Sequence, residues 1–346
     1  MQHEVTLGQP LLDSKGMIAE EGWARHPVWH YERKAVRASA LRIKEWDYYA
    51  LTSMSGEWTL ALTISDLGYS ALYSIAFVDY RRGAFAQTDA MRFFTMHRTG
   101  LAPSSTEDNQ VSVSDSKLRI AFIKRGGQRI LVFGAPALVL PDGGVGIEGQ
   151  ITLHQEKGAE SMNIATSWKE NRRAFYLNEK VNCMPASGTL RLGGDEQTLA
   201  ENDVWGVLDW GRGRWTYTNR WFWGSASGII DGVPFGFNIG YGFSDRTPAS
   251  ENVVFYDGKI HKLEDVDFGI PASGYTDTWH MTSSDGRFMM DFTPAVDRHT
   301  CTDFRIIKSD QHQVFGYYDG KVVLDDGRVI TVSRLPAFAE DVFNRW

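Results

Sequence analysis

From residue 42 onward, apolar positions recur at every second residue in short runs, which is the period of a half-buried strand. In 57–65 (EWTLALTIS), Trp58, Leu60, Leu62 and Ile64 fall on one face. The same patterning predicts strands over 42–53, 69–80, 84–94, 117–124, 129–134, 147–154, 161–168 and 174–182. Ser55-Gly56, Arg82-Gly83, Arg125-Gly126-Gly127 and Asp142-Gly143-Gly144 separate several of them with residues that permit backbone reversal. The polar stretch 101–116 reads as an exposed loop, and 1–40 as an irregular N-terminal segment. In the second half, Asp-Gly recurs at 231, 257, 285, 319 and 326, each time between strand-like runs. Short strands joined by hairpins indicate an antiparallel sandwich or barrel. The main helical candidate is 337–346 (AFAEDVFNRW), where Phe338, Val342 and Trp346 share a helical face.

The stretch 203–263 concentrates tryptophan, arginine and glycine. Asp231-Gly232 predicts a two-residue type I′ loop between 217–230 and 233–243, and that loop sets a register. Ile230 lies opposite Val233, so one face pairs Ser227/Gly236, Ser225/Asn238, Trp223/Gly240 and Trp221/Gly242. The other face, with Ala226/Phe237, Gly224/Ile239, Phe222/Tyr241 and Arg220/Phe243, reads as packed core. Glycines in series inside a strand mark bending or a close approach to the backbone. The face of indoles, glycines and Asn238 is therefore expected to line a cavity; alternatively, the glycines let the sheet curl and the indoles fill the space themselves.

At 346 residues the chain fits two domains. The glycine-rich CMPASGTLRLGGDEQ suggests a boundary that gives 1–185 and 186–346, the second ending in the short helix. Apolar residues at 42% and charged residues at 23% are globular values. A formal charge of -7 with no Lys/Arg-rich run argues against a nucleic-acid partner. Cys183 and Cys301 form no CxxC, so a reduced, cytoplasmic protein is expected; no secretion signal or membrane span is read. His26 and His30 are four apart, but Pro27 lies between them and no carboxylate joins them, so no metal site is expected. Phosphate-binding loops, nucleophile elbows and dinucleotide fingerprints are missing, and no cofactor is expected. An oligomer is left open.

Asp209 is the sharpest chemical candidate. Alternation puts it on one face with Trp205 and Val207, just before Gly211-Arg212-Gly213-Arg214. A carboxylate against indoles has a raised pKa and suits a proton donor, although Arg212, Arg214 or Arg220 could instead tie it down as an ion pair. Glu251 and Asn252 open the hairpin turned by Asp257-Gly258, whose alternation directs Asn252 and His261 to the same side, with His261 a candidate general acid or base. Asp209 with Glu251 also reads as a carboxylate pair of the glycosidase kind. In 42–53, Trp46 and Tyr48 share one face, and Glu45, Asp47 and Tyr49 the other. The expected binding set is Trp46, Tyr48, Trp205, Arg212, Arg214, Trp215, Trp221, Trp223, Ser225, Asn238, Tyr241 and Asn252, with Trp221 and Trp223 as walls and Asn238 as an orienting amide.

The runs LDWGRGRWTY, ASENVVFYDGKIHKL, PAVDR, HQVFGYYDGKVVLDDG and AFAEDVFNRW closely resemble the bacterial and fungal family named domain of unknown function 2804. GWARHPVWHYERK, EWDYY, VNCMPASG and SSDGRF resemble it too, so the resemblance spans nearly the whole chain. That family is distantly similar to two-domain lipocalin-like proteins of the calycin group, among them carotenoid hydratases and tocopherol cyclases. The similarity implies an all-β fold of two tandem antiparallel barrel or sandwich domains with little helix, and a pocket for an apolar molecule. It carries no catalytic residue onto this sequence. The expected function is binding of a largely apolar or aromatic small molecule, with acid/base chemistry of hydratase, lyase, cyclase or isomerase type. A non-catalytic carrier or sensor and a sugar-active enzyme using Asp209 and Glu251 are the alternatives.

Overall fold

In the computed structural model, which describes residues 2–200 and 202–346, the alternating runs become two curled antiparallel half-barrel sheets. The first runs from Ala84–Phe93 through Ser70–Asp79, Trp58–Asp66 and Ile43–Ser53 to Val204–Arg214. It continues through Asn171–Leu192, Val145–His154, Gln128–Val139 and Arg119–Arg125 to Asn109–Ser114. The strand Asn171–Leu192 is 22 residues long and serves two neighbours along one edge. Its first half pairs with Met162–Trp168 and its last residues with Val145–His154, while Val204–Arg214 lies along the other edge.

The second sheet orders Lys259–Lys262, Val253–Tyr256, Val233–Tyr241, Thr218–Ile230, Val329–Arg345, Lys308–Val323, Phe288–Asp303, Trp279–Ser283 and Val266–Asp267. The hairpin register read from Asp231-Gly232 is the register found, from Ile230/Val233 to Phe222/Tyr241.

Three expectations change. The segment 337–346 is not a helix but the end of the strand Val329–Arg345, paired on both sides. Phe338, Val342 and Trp346 are four apart, and positions four apart share a face in a strand as surely as in a helix. The break expected at 185/186 falls inside Asn171–Leu192, and the chain passes from one sheet to the other between Arg214 and Thr218. Gly188 there serves not a linker but a close approach: its φ is +133°, and a Cβ would sit 2.2 Å from the Gln150 carbonyl. The stretch taken as a loop also contains the strand Asn109–Ser114.

Each sheet buries a core of its own, with Leu51, Leu62, Phe133 and Leu208 in the first and Phe237, Trp279, Phe292 and Tyr318 in the second. Two further apolar clusters draw on both sheets and form a seam. One contains Tyr176, Trp215 and Val253; the other contains Tyr48, Trp223, Phe315 and Phe338. Leu208 and Trp210 of Val204–Arg214 face the first core, so the residue between them, Asp209, faces the seam.

Candidate functional site

Three neighbouring strands bring Tyr48, Asp209 and Lys180 side by side, because Asp209 pairs with Tyr48 on one flank and Lys180 on the other. One row along, Gly211 lies between Trp46 and Asn178. A Cβ on Gly211 would meet the Trp46 ring at 2.1 Å, so this glycine is what lets the indole lie across the sheet beside Asp209. Lys180 Nζ is 3.0 Å from Asp209 Oδ1 and 4.0 Å from Glu251 Oε2. It also stands 4.1 Å above the Trp223 ring. Asn178 donates to Asp209 Oδ1, and Tyr176 donates to Glu251 Oε2 at 3.1 Å.

The second sheet closes over this row. Trp221 Nε1 donates to Glu340 Oε1 at 2.8 Å, and Gln313 donates to Glu340 Oε2 at 3.1 Å and to Tyr48 at 3.2 Å. Burial pushes Glu340 up to about 7, with the Asp209 charge adding to the rise and Lys180 and Arg298 opposing it. Burial likewise raises Glu251 and carries the Tyr176 hydroxyl well above its ordinary range. Asp209, Glu251 and Glu340 thus gather around Lys180, with Arg298 also acting on Glu340 and Lys262 on Glu251. In the low-dielectric seam burial favours the protonated forms of Glu340 and Glu251. The Asp209 side chain keeps 11% of its surface in water. Trp46, Trp221 and Trp346, only partly buried, rim the row with Trp215 and Phe243.

Of the residues singled out in the sequence, Asp209, Glu251, Trp46, Tyr48, Trp215, Trp221 and Trp223 meet at the seam. Asn238 joins through Trp223, whose Nε1 donates to its Oδ1 at 2.7 Å. The rest lie elsewhere. Arg212 and Arg214 are three and five residues from Asp209, odd spacings that place them on the opposite face. Arg212 pairs with Asp47 at 2.9 Å, and Arg214 reaches the Arg37 carbonyl at 3.2 Å. His261 pairs with Asp325 at 3.1 Å, away from the seam. Tyr241 stacks on Phe222 with ring centroids 4.6 Å apart, on the inner side of the second sheet. Trp205, two rows from Asp209 and so about 13 Å along the strand, donates to the Asn202 carbonyl. Asn252 binds Gly240 N and the Glu264 carbonyl, fixing the backbone.

The glycine-rich face holds protein groups in the space expected to be a cavity. A Cβ at Gly240 would lie 2.2 Å from Glu251 Oε1, and one at Gly236 would lie 2.8 Å from Cys183 Sγ. Ser225 accepts from Asn182, which also donates to the Ala226 and Phe237 carbonyls. Gly236 therefore admits a side chain of the first sheet, and Gly240 the Glu251 carboxylate from the second sheet's own chain. Lys180, not open space, lies between Asp209 and Glu251, which removes the gap that a glycosidic bond would occupy. A cleft of about 290 Å³ opens at the first half-barrel between Trp29, Tyr31, Glu179 and Trp210, and a groove of about 400 Å³ crosses the second sheet at Met281 and Lys321.

Sequence reasoning missed Lys180, Tyr176, Asn178, Gln313 and Glu340. The signal for the first three was present: Tyr176, Asn178, Lys180 and Asn182 alternate with Phe175, Leu177, Glu179 and Val181, a face apolar but for Glu179. Glu340 was hidden by the helical reading of its segment.

A family model described as domain of unknown function (DUF2804) matches residues 2–346. No curated protein matches the chain. Among solved structures, an AttH-like protein from Nitrosomonas europaea aligns at a TM-score of 0.51 and 13% identity, over 93% of this chain and 98% of that one. CghA with Sch210972 aligns at 0.51 and 11% identity over 88% of each chain. Kievitone hydratase from Nectria haematococca aligns at 0.49 and 11% identity, again over 88% of each. At these identities the likeness is one of fold, and the fold is that of two tandem lipocalin-like domains. Among the described residues, no helix is long and apolar enough to cross a membrane.

Proposed function

The chain belongs to the domain of unknown function 2804 family, and for it we propose a small-molecule site at the seam between the two sheets, where a largely apolar or aromatic compound undergoes acid/base chemistry of the hydratase, lyase, cyclase or isomerase type. One observation carries the reading. Glu340 is a buried carboxyl held by two neutral donors, Trp221 and Gln313, beside the Asp209–Lys180 pair and within a ring of indoles. A carboxyl poised at about 7 both gives and takes a proton near neutral pH.

Glu340 in its acid form donates to a double bond or carbonyl of the bound molecule. Lys180 then balances the carboxylate left behind, and Asp209 accepts a proton from water or from the substrate carbon. Pairing with Lys180 suits Asp209 better to this acceptor role than to the donor role expected from sequence. Trp46 and Trp221, the partly exposed indoles of the rim, turn aside to admit the ligand, and Trp223 and Tyr48 floor the site. CghA, with the same fold, has been solved with a bound small molecule, which supports a ligand in this architecture. The unpaired thiols of Cys183 and Cys301 suit a reducing, cytoplasmic setting.

The test begins with native mass spectrometry of the protein from its own host and identification of any co-purifying compound. That compound, or a hit from an apolar library by thermal shift, is then incubated with wild type and Glu340→Gln. The variant is expected to keep ligand affinity and lose turnover by 100-fold or more, the scale of general acid catalysis. Unchanged binding with no turnover in wild type would favour the carrier, whereas stabilisation by sugars alone would overturn the apolar-ligand reading.

A further inference from the structure

Beyond the seam, the ribbon formed by Phe288–Asp303 and Lys308–Val323 carries a second group of chemistry-bearing side chains. His299 and His312 are directly opposite each other, and Cys301/Asp310 is the next pair on the same face. Arg298 and Gln313, one residue away on each strand, bond each other and contact Gln87 and Tyr48 on the seam side. By alternation the histidines face the other way. The two imidazoles stack with centroids 3.9 Å apart and planes 5° apart. Each is held by its own carboxylate: His299 Nε2 lies 3.0 Å from Asp310 Oδ1, and His312 Nδ1 lies 2.8 Å from Asp297 Oδ2. Donor atoms of His299, Asp310 and His312 all fall within 4.8 Å of one another.

We infer that this ribbon binds a divalent transition-metal ion through His299, His312 and Asp310, with water completing the shell. Two imidazole nitrogens and one carboxylate oxygen form a donor set of borderline softness, which suits zinc or cobalt rather than calcium or magnesium. Bonds of about 2.1 Å in a tetrahedral site place donors about 3.4 Å apart. The His299–Asp310 contact therefore opens by a few tenths of an ångström, and rotation of the largely exposed His299 ring closes the wider separation. The neutral His299 ring ligates through Nε2 with its proton on Nδ1. Asp297 on His312 Nδ1 leaves Nε2 free to ligate and fixes the ring, the usual second partner of a metal-bound histidine. Charge favours a cation as well: Asp297 and Asp310 are offset locally by Lys308, 3.3 Å from Asp310 Oδ2. No contiguous motif announces the set, because 299 and 312 meet only across a hairpin.

Untagged protein treated with chelator is titrated with Zn²⁺ by calorimetry and with Co²⁺ by visible absorption. One ion per chain is expected, with the intense visible bands of tetrahedral cobalt. Affinity is expected to fall at least 10-fold in His299→Ala and in His312→Ala, and 10- to 100-fold in Asp297→Asn. His280→Ala is the control, because His280 pairs with Asp291 with no second imidazole beside it. His299 is exposed, so its variant tests binding without threatening the fold. Absence of a cobalt spectrum, or affinity unchanged in His299→Ala, overturns the inference. Because the readout is metal binding, failure of the seam proposal leaves it untouched.

Discussion

Glu45 and Glu340 are both buried glutamates on central strands, and they differ in what faces them. Glu45 accepts from Tyr31 at 2.8 Å and from Arg33 Nε and Nη2 at 2.8 Å each, with His97 Nδ1 3.2 Å away. Burial would raise its pKa, but hydrogen bonding from His97 and the charges of Arg212 and Arg33 hold it at about 2. Glu340, also buried, has only an indole and an amide as donors, so burial wins and the group sits at about 7. The same residue type therefore locks the first half-barrel in one place and stays close to protonation at the seam in the other. What separates a structural carboxylate from a reactive one here is the charge of its hydrogen-bond donors rather than its depth.

The first half-barrel is tied together by such pairs. Arg212 joins Asp47 and the Ala102 carbonyl, and Arg129 and Arg33 hold the Ser105 and Leu101 carbonyls. The segment 101–105 is thereby pinned to the sheet. Breaking Glu45 gives the largest expected effect. Glu45→Gln removes the carboxylate that pairs with Arg33 and leaves His97 only Asp66, 3.7 Å away, and urea unfolding at pH 7 should show a loss of about 3–5 kcal/mol. The folded pKa lies below the unfolded value of 4.5. The stabilisation is thus complete above pH 4.5 and is lost as pH falls toward 2. A Glu45→Gln variant as stable as wild type would erase the contrast.

Lys180→Met comes next. It removes the ammonium facing Asp209 and Glu251 while keeping the packing on Trp223, and about 3 kcal/mol of stability should go at pH 8. Since protonation of the stranded carboxyls relieves the strain, the loss should shrink at pH 5. An equal loss at both values would mean that packing, not charge, is what Lys180 supplies.

Glu340→Gln should act in the opposite direction. The folded state holds this proton more tightly than the unfolded chain, so the contribution of Glu340 to stability is greatest below 4.5 and declines as pH rises through about 7. Glutamine keeps an acceptor for Trp221 and has no charge to desolvate. The variant should therefore gain about 3 kcal/mol over wild type at pH 8 and nothing at pH 4. A gain in stability joined to a loss of turnover is the signature of a group kept for chemistry.

These residues also show how far the chain could be read in advance. Asp231-Gly232 set a hairpin register that held pair by pair, because a two-residue turn leaves one alignment and a one-residue slip would expose the core face. Asp209, Trp46, Trp221 and Trp223 could be assigned to strand faces because alternation over strands of nine or more residues is unambiguous. Lys180 was missed because a cross-strand partner 29 residues away is set by sheet order, which local pattern does not encode. Glu340 was missed for a subtler reason. Apolar residues spaced by four satisfy both a helix and a strand, and what decides is pairing with Thr218–Ile230 and Lys308–Val323, both distant in sequence. The arginines failed more simply: their odd spacing from Asp209 already excluded a shared face.

Trp221→Phe is the smallest and most diagnostic change. It keeps an aromatic wall and removes only the Nε1–H that donates to Glu340 at 2.8 Å. That bond stabilises the charged carboxylate and is the largest influence opposing burial, so without it the Glu340 pKa should climb further above about 7, by about half a unit to one unit, worth about 1 kcal/mol. Carboxyl-carbon NMR or infrared titration, with Glu340→Gln to assign the signal, reads the shift directly. Global stability at pH 5, where the carboxyl is neutral in either protein, should change by less than about 1 kcal/mol. If the pKa stays put, the indole is only packing against Glu340, and its hydrogen bond does not tune the group. If it rises, the donors are what tune the two glutamates apart, and the alkaline limb of any pH–rate profile for the seam, where the acid form of Glu340 is lost, should move with the titration.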